Sequence, residues 1–158
     1  MSIAPPRLQY TMGLRRQARE CAVQWLFQYD VNTQHNLQTS PSTAAFPSMI
    51  DIAPDAKPFA ERLVHGVLDH LPELDAMLQR AADHWSVERM AVVDRNVLRC
   101  ALYELLYLDE IPAKVTINEA IEIAKRYGAE ESGAFVNGLL DRLIKSEERL
   151  QPKRLATA

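Results

Sequence analysis

The stretch Thr116–Gly128, TINEAIEIAKRYG, constrains the fold of this chain more than any other. Ile117, Ile121 and Ala124 recur at steps of three and four residues, with Ile123 and Tyr127 beside them, which is the period of a helix with one buried face. Thr116 and Glu119 stand at capping-box spacing, and Gly128 stands where a helix ends. The same period returns along most of the sequence. No run alternates apolar and polar residues as a half-buried strand would. The pattern predicts an all-α protein. Its 158 residues, 47% hydrophobic and 25% charged, suit one domain or two small subdomains with a hydrophobic core.

A first helix is expected over about Leu14–Tyr29, with Leu14, Ala18, Cys21, Ala22, Trp25 and Tyr29 on its core face. Residues 30–56 are rich in Asn, Gln, Ser, Thr and Pro and read as a long loop. Phe59, Leu63, Val67 and Leu71 form the stripe of a second helix, with Asp55 near its start. Pro72 opens a third, because its missing N–H costs nothing in a first turn, and Leu74, Met77, Leu78, Ala81 and Trp85 give its face. Ser86 can cap a short turn. A long helix then runs to about Leu108 with Val97, Cys100, Ala101, Leu105 and Leu108 inward. Pro112 breaks it, since the residue before a proline is pushed out of the helical region. The last long helix is capped by Ser132, and Gly138 within it marks a candidate close helix approach. The expected organisation is a compact bundle of about six or seven helices. Residues 1–13 form a flexible arm, 14–149 one helical domain interrupted by the 30–56 loop, and 150–158 a frayed tail.

Several function classes recede. There is no Gly-rich phosphate loop, nucleophile elbow or HExxH motif, so no enzyme is expected; Glu130 and Glu131 before Ser132 favour a helix start better than a catalytic pair. Cys21 and Cys100 fall inside apolar helical patterns without neighbouring ligands, as buried reduced thiols do. His35, His65, His70 and His84 have no metal-ligand spacing, so neither metal nor cofactor is expected. No run is apolar for the length of a membrane span, and residues 1–14 lack the apolar core of a secretory signal; a cytoplasmic location follows. The helix after Met12 also makes that methionine an alternative translation start.

The net charge of −3 is unevenly spread. Residues 1–32 hold four arginines against two acids, residues 33–131 nine bases against sixteen acids, and residues 132–158 five bases against three acids. An acidic protein of this kind can still offer a local basic surface. Arg15, Arg16 and Arg19 cluster on one arc of the first helix, either as a solvated face with Arg16 near Glu20, or as an RNA contact. Phe135 is either core or a base-stacking platform. Phe27 lies off the core stripe and is either covered by a second layer or part of a partner surface. Asn118 and Asn137 are expected to fix helix junctions by hydrogen bonding.

Three stretches in order, RRQARECAVQWLF, VVDRNVLRCALYELLYLDEIPAKVTINEAIEIAKRYGAEES and FVNGLLDRL, resemble the bacterial transcription antitermination factor NusB family over about residues 14–145. The resemblance implies two three-helix subdomains and an adaptor without catalysis. It implies binding of boxA-type single-stranded RNA together with the small-subunit ribosomal protein NusE, within an RNA polymerase antitermination complex acting on rRNA genes. Arg15, Arg16 and Arg19 match the family's arginine-rich RNA-binding stretch, with Gln17 where another basic residue is common. Glu131 and Phe135 match an acidic and an aromatic position near the RNA surface. Phe27 and Asp94 match positions near the surface that meets the NusE-like partner. A homodimer is the alternative use of those faces. Two other readings stay open: an RNA-binding module working with an rRNA methyltransferase, and a protein–protein scaffold that would tolerate loss of Arg15 or Arg19.

Overall fold

The computed structural model of the protein describes residues 7–34, 52–83 and 85–156. These form seven α-helices: α1 (Arg7–Gln34), α2 (Lys57–Asp69), α3 (Leu71–Ala81), α4 (Val92–Tyr107), α5 (Ala113–Tyr127), α6 (Ser132–Ser146) and α7 (Gln151–Ala156). Single 3-10 turns stand at Pro54–Ala56, Val87–Arg89 and Glu148–Leu150. No strand occurs among the described residues, and the protein is all-α as expected. The chain falls into two compact units, one up to His65 and one from Gly66.

In the first unit α1 is longer than its apolar period predicts, starting at Arg7 and running to Gln34. Its far end runs on through polar residues, and there the Thr33 hydroxyl donates back to the Tyr29 carbonyl (2.6 Å). Asp30 there is buried. The expected loop is therefore shorter, and its residues 35–51, with His35, lie outside the described part. The core face holds Ala18, Cys21, Ala22 and Trp25, with Val23 and Leu26 also buried. Leu14 and Tyr29, at the edges of the predicted stripe, are only half-buried. The Trp25 and Tyr29 rings stack with centroids 5.7 Å apart. Burial pushes the Cys21 thiol up to about 11, so it stays protonated and inert.

The second unit is built around α4. Val97, Cys100, Ala101, Leu105 and Leu108 are buried as predicted, but so is every residue from Asp94 to Leu105, charged ones included. Buried charge is tolerable only with partners, and these come from distant positions. Arg99 holds Asp75 of α3 through two bonds of 2.8 Å and Asn96 through one of 3.0 Å. Arg95 donates to the Glu88 carbonyl (3.1 Å). Glu104 accepts from Thr116 (3.2 Å).

That last bond corrects the expected capping box. α5 begins at Ala113, after Pro112, with no side-chain cap. Proline fixes the start three residues upstream, and Thr116, already inside the helix, turns its hydroxyl to Glu104 instead. Gly128 does end α5 at Tyr127, in extended rather than left-handed backbone.

Other expectations also change. Trp85 lies beyond the end of α3 and is 53% exposed, so it is not on that helix's buried face. Ser86 precedes its turn without a side-chain cap, and Asp55 sits inside the 3-10 turn ahead of α2. Asn118 and Asn137 are exposed and fix no helix junction from within. Among the described residues a Cβ at Gly138 would meet nothing within 4 Å, so none of the described helices presses there. The tail does not fray at 150: Leu150 is fully buried, and Lys153 on α7 reaches back to the carbonyls of Leu108 (2.8 Å) and Ile111. Those carbonyls lie past the end of α4, and that of Leu108 also accepts from the Ile111 amide (3.1 Å). Burial lowers the Lys153 pKa, against the pull of nearby Asp109, Glu110 and Glu104.

Candidate nucleic-acid interface

The arginine arc of α1 divides. Arg15 and Arg16 are exposed, whereas Arg19 is only 4% exposed. The guanidinium carbons of Arg15 and Arg19 stand 4.9 and 5.4 Å from the centroid of the Phe59 ring, a cation–π pair brought together by α2. Sequence spacing could not show this, because Phe59 lies beyond the segment that separates the two helices. Further along the same helix Phe27 is 38% exposed, in keeping with a place off the core stripe. Gln24 and Gln28 beside it are exposed too.

The second group of candidates gathers at the start of α6. Glu131 is exposed and Phe135 half-buried, one turn apart, with the Phe135 amide donating to the Glu131 carbonyl (3.0 Å). Ser132 does not cap its own helix. Its hydroxyl accepts from the Ala129 amide (2.9 Å) and bonds to the carboxylate of Asp94, in the first turn of α4. A Cβ at Gly128 would lie 2.5 Å from that hydroxyl oxygen, which is why glycine stands there. Asp94 and Glu131, expected on a partner surface and an RNA surface, are thus neighbours.

Asp94 is not the exposed acid that a partner contact leads one to expect. It is 7% exposed, and its Oδ1 has no hydrogen-bond partner among the described residues. Burial raises its pKa; the Ser132 bond opposes the rise and the charge of Glu131 adds to it.

Cations and an aromatic flank this end of the unit. The Lys125 stem crosses the start of α6 so closely that a Cβ on Gly133 would lie 2.8 Å from its Cγ. Tyr127, 38% exposed at the last position of α5, carries the Arg126 guanidinium 5.6 Å from its ring centroid. The helical period placed Tyr127 beside the buried stripe; its exposure comes from standing in the last turn. Ser132 was legible only as a helix start. Among the described residues no group of His, Cys, Asp and Glu could hold a metal, and no helix is long and apolar enough to cross a membrane. His84 lies outside the described residues.

The sequence matches the model of the NusB family over residues 16–145. The chain belongs to the NusB family. Relatives within it include the transcription antitermination protein NusB of Myxococcus xanthus, 47% identical over 135 residues, covering 84% of this chain and 95% of that protein. NusB of Desulfitobacterium hafniense is 45% identical over 139 residues, covering 88% and 93%. Among solved structures, T. maritima NusB superposes with a TM-score of 0.73 at 42% identity, over 87% of this chain and 96% of that one. A crystal structure of the antitermination factors NusB and NusE in complex with dsRNA gives a TM-score of 0.70 at 27% identity, over 85% and 98%.

Proposed function

We propose that this chain is a transcription antitermination adaptor. It binds boxA-type single-stranded RNA jointly with a NusE-like small-subunit ribosomal protein and joins an RNA polymerase antitermination complex during rRNA transcription, in the cytoplasm and without catalysis of its own. The observation that carries this reading is the likeness, over 85% of the chain, to a NusB solved with NusE and RNA.

The chemistry on each unit supports it. Arg15 and Arg16 offer exposed guanidinium groups to phosphate. Phe135 and Tyr127 offer ring faces to unstacked bases, with Lys125 and Arg126 close by to hold the backbone. Phe27 supplies an exposed apolar anchor for a protein partner. Arg19 contributes by holding Phe59 under α1 rather than by touching RNA.

A competition assay tests the reading. Labelled boxA RNA bound to the chain and its NusE-like partner is challenged with unlabelled boxA or with a scrambled strand of equal length. The adaptor reading predicts that boxA displaces at least about tenfold better, a difference of about 1.4 kcal/mol. Equal displacement by the two strands contradicts it.

A further inference from the structure

Phe59 opens the apolar stripe of α2, yet it is only half-buried, whereas Leu63 one turn later on the same face is fully buried. The Pro54–Ala56 turn just ahead of it packs on α1, and its neighbours Ala56 and Ala60 are closed off from solvent. The ring therefore stands at the rim of the contact with α1 rather than inside it. Two guanidinium groups one helical turn apart on α1 converge there, Arg15 at 4.9 Å and Arg19 at 5.4 Å from the ring centroid. They differ in exposure: Arg19 is nearly buried and Arg15 is open to solvent. Arg19 holds the ring, and the ring in turn holds Arg15.

A solvated arginine samples many rotamers and loses them when it grips a phosphate. Contact with a ring face narrows that sampling before RNA arrives. It spends no conventional hydrogen bond, so the N–H donors of Arg15 stay available for a phosphate. The gain in affinity is bounded by the strength of the contact itself. A cation–π pair at an exposed site is weak, which limits the gain to about two- to fivefold.

We propose that Phe59 is a positioning residue for RNA binding, whose ring holds the Arg15 guanidinium in place for a backbone phosphate. This rests on the adaptor reading. Phe59 acts through Arg15 and need touch no RNA, which separates it from the base-stacking rings of Phe135 and Tyr127. It adds no charge either, so the number of phosphates neutralised, and with it the salt slope, is the same with or without the ring.

The test is a double-mutant cycle on the full chain, with labelled boxA RNA and saturating NusE-like protein over a range of salt. Phe59→Leu is predicted to weaken binding about two- to fivefold with the salt slope unchanged. On an Arg15→Ala background the same change is predicted to cost nothing further, because the ring has no guanidinium left to present. Phe59→Tyr, which keeps the ring, restores the parental affinity. A merely structural role for Phe59 would give losses that multiply, and multiplying losses overturn the proposal. A Phe59→Leu chain that binds like the parent, or one with a flattened slope, overturns it too. If Phe59→Leu, which also frees Arg19, does not fold, the parent alone supplies the test. The Nε–H order parameter of Arg15 must then be as high in the free chain as in the RNA complex, and a value that rises only on binding overturns the proposal. A parent that binds no boxA with the partner present sinks the adaptor reading itself, an outcome distinct from multiplying losses in a parent that binds.

Discussion

The backbone of Gly66 in α2 packs directly on the ring of Tyr103 in α4: a Cβ at Gly66 would stand 2.0 Å from the ring's Cζ. Tyr103 is buried and cannot swing aside without opening the core of its unit. Gly66→Ala is therefore expected to cost about 1–3 kcal/mol, the range of overpacking in a closed core. Gly138 is the opposite case, an exposed mid-helix glycine with open space around it. Gly138→Ala should add up to about 1 kcal/mol through helix propensity. Urea unfolding measures both. A neutral Gly66→Ala would mean that the close approach is absent.

The fork of Arg99 on Asp75 is the strongest polar tie between α3 and α4. Asp75→Ala leaves a nearly buried guanidinium with Asn96 as its remaining side-chain partner among these bonds. The expected loss is about 2–3 kcal/mol, below the full cost for a wholly buried pair because Asp75 is partly exposed. Arg99→Lys should recover only part of it, since an ammonium cannot span both carboxylate oxygens. Full recovery by lysine in a thermal melt would contradict the bidentate geometry.

Stability should depend on pH through Asp94. Folding raises its pKa, so the native state binds that proton more tightly than the unfolded chain. The stabilisation from the bound proton is complete below the unfolded value of about 4 and is lost as pH rises through the folded value. Asp94→Asn is neutral throughout. Its Tm should exceed the parent's at pH 7, by an amount equivalent to about 1 kcal/mol, and the gap should close on acidification. A gap that is constant with pH would show that the charge of Asp94 is not its cause.

The arginines of α1 should separate by phenotype. Arg15→Ala and Arg16→Ala are expected to weaken RNA binding across sequences and each to flatten the slope of log affinity against log salt by about 0.7, with little change in stability. Arg19→Ala should lower Tm through loss of the buried side chain and its Phe59 contact, leaving the slope intact. If Arg19→Ala flattens the slope as Arg15→Ala does, Arg19 reaches phosphate despite its burial.

Helix existence was legible wherever one face carried the apolar stripe, as in α5, and the stop at Gly128 could be read from residue type alone. Caps were not, because a threonine or serine at a helix start has other acceptors in a packed unit: Thr116 serves Glu104 and Ser132 serves Asp94. α4 read as one-sided although it is buried all round, since charged residues such as Arg95, Arg99 and Glu104 look solvated until their distant partners are known. The site divides the same way. The exposure of Arg15, Arg16 and Phe27 follows from helical phase and that of Glu131 from its place in the turn before α6, whereas the burial of Arg19 and Asp94 depends on Phe59 and on the start of α6, which no local period reveals.

The most direct test of the adaptor account is a titration of boxA RNA by the full chain with and without the NusE-like protein, at fixed moderate salt. The account predicts weak binding by the chain alone and at least about tenfold tighter binding with the partner, as a partner that adds contacts or pre-orders the surface would give. The same Kd in both titrations, or no preference for boxA with the partner present, would contradict it.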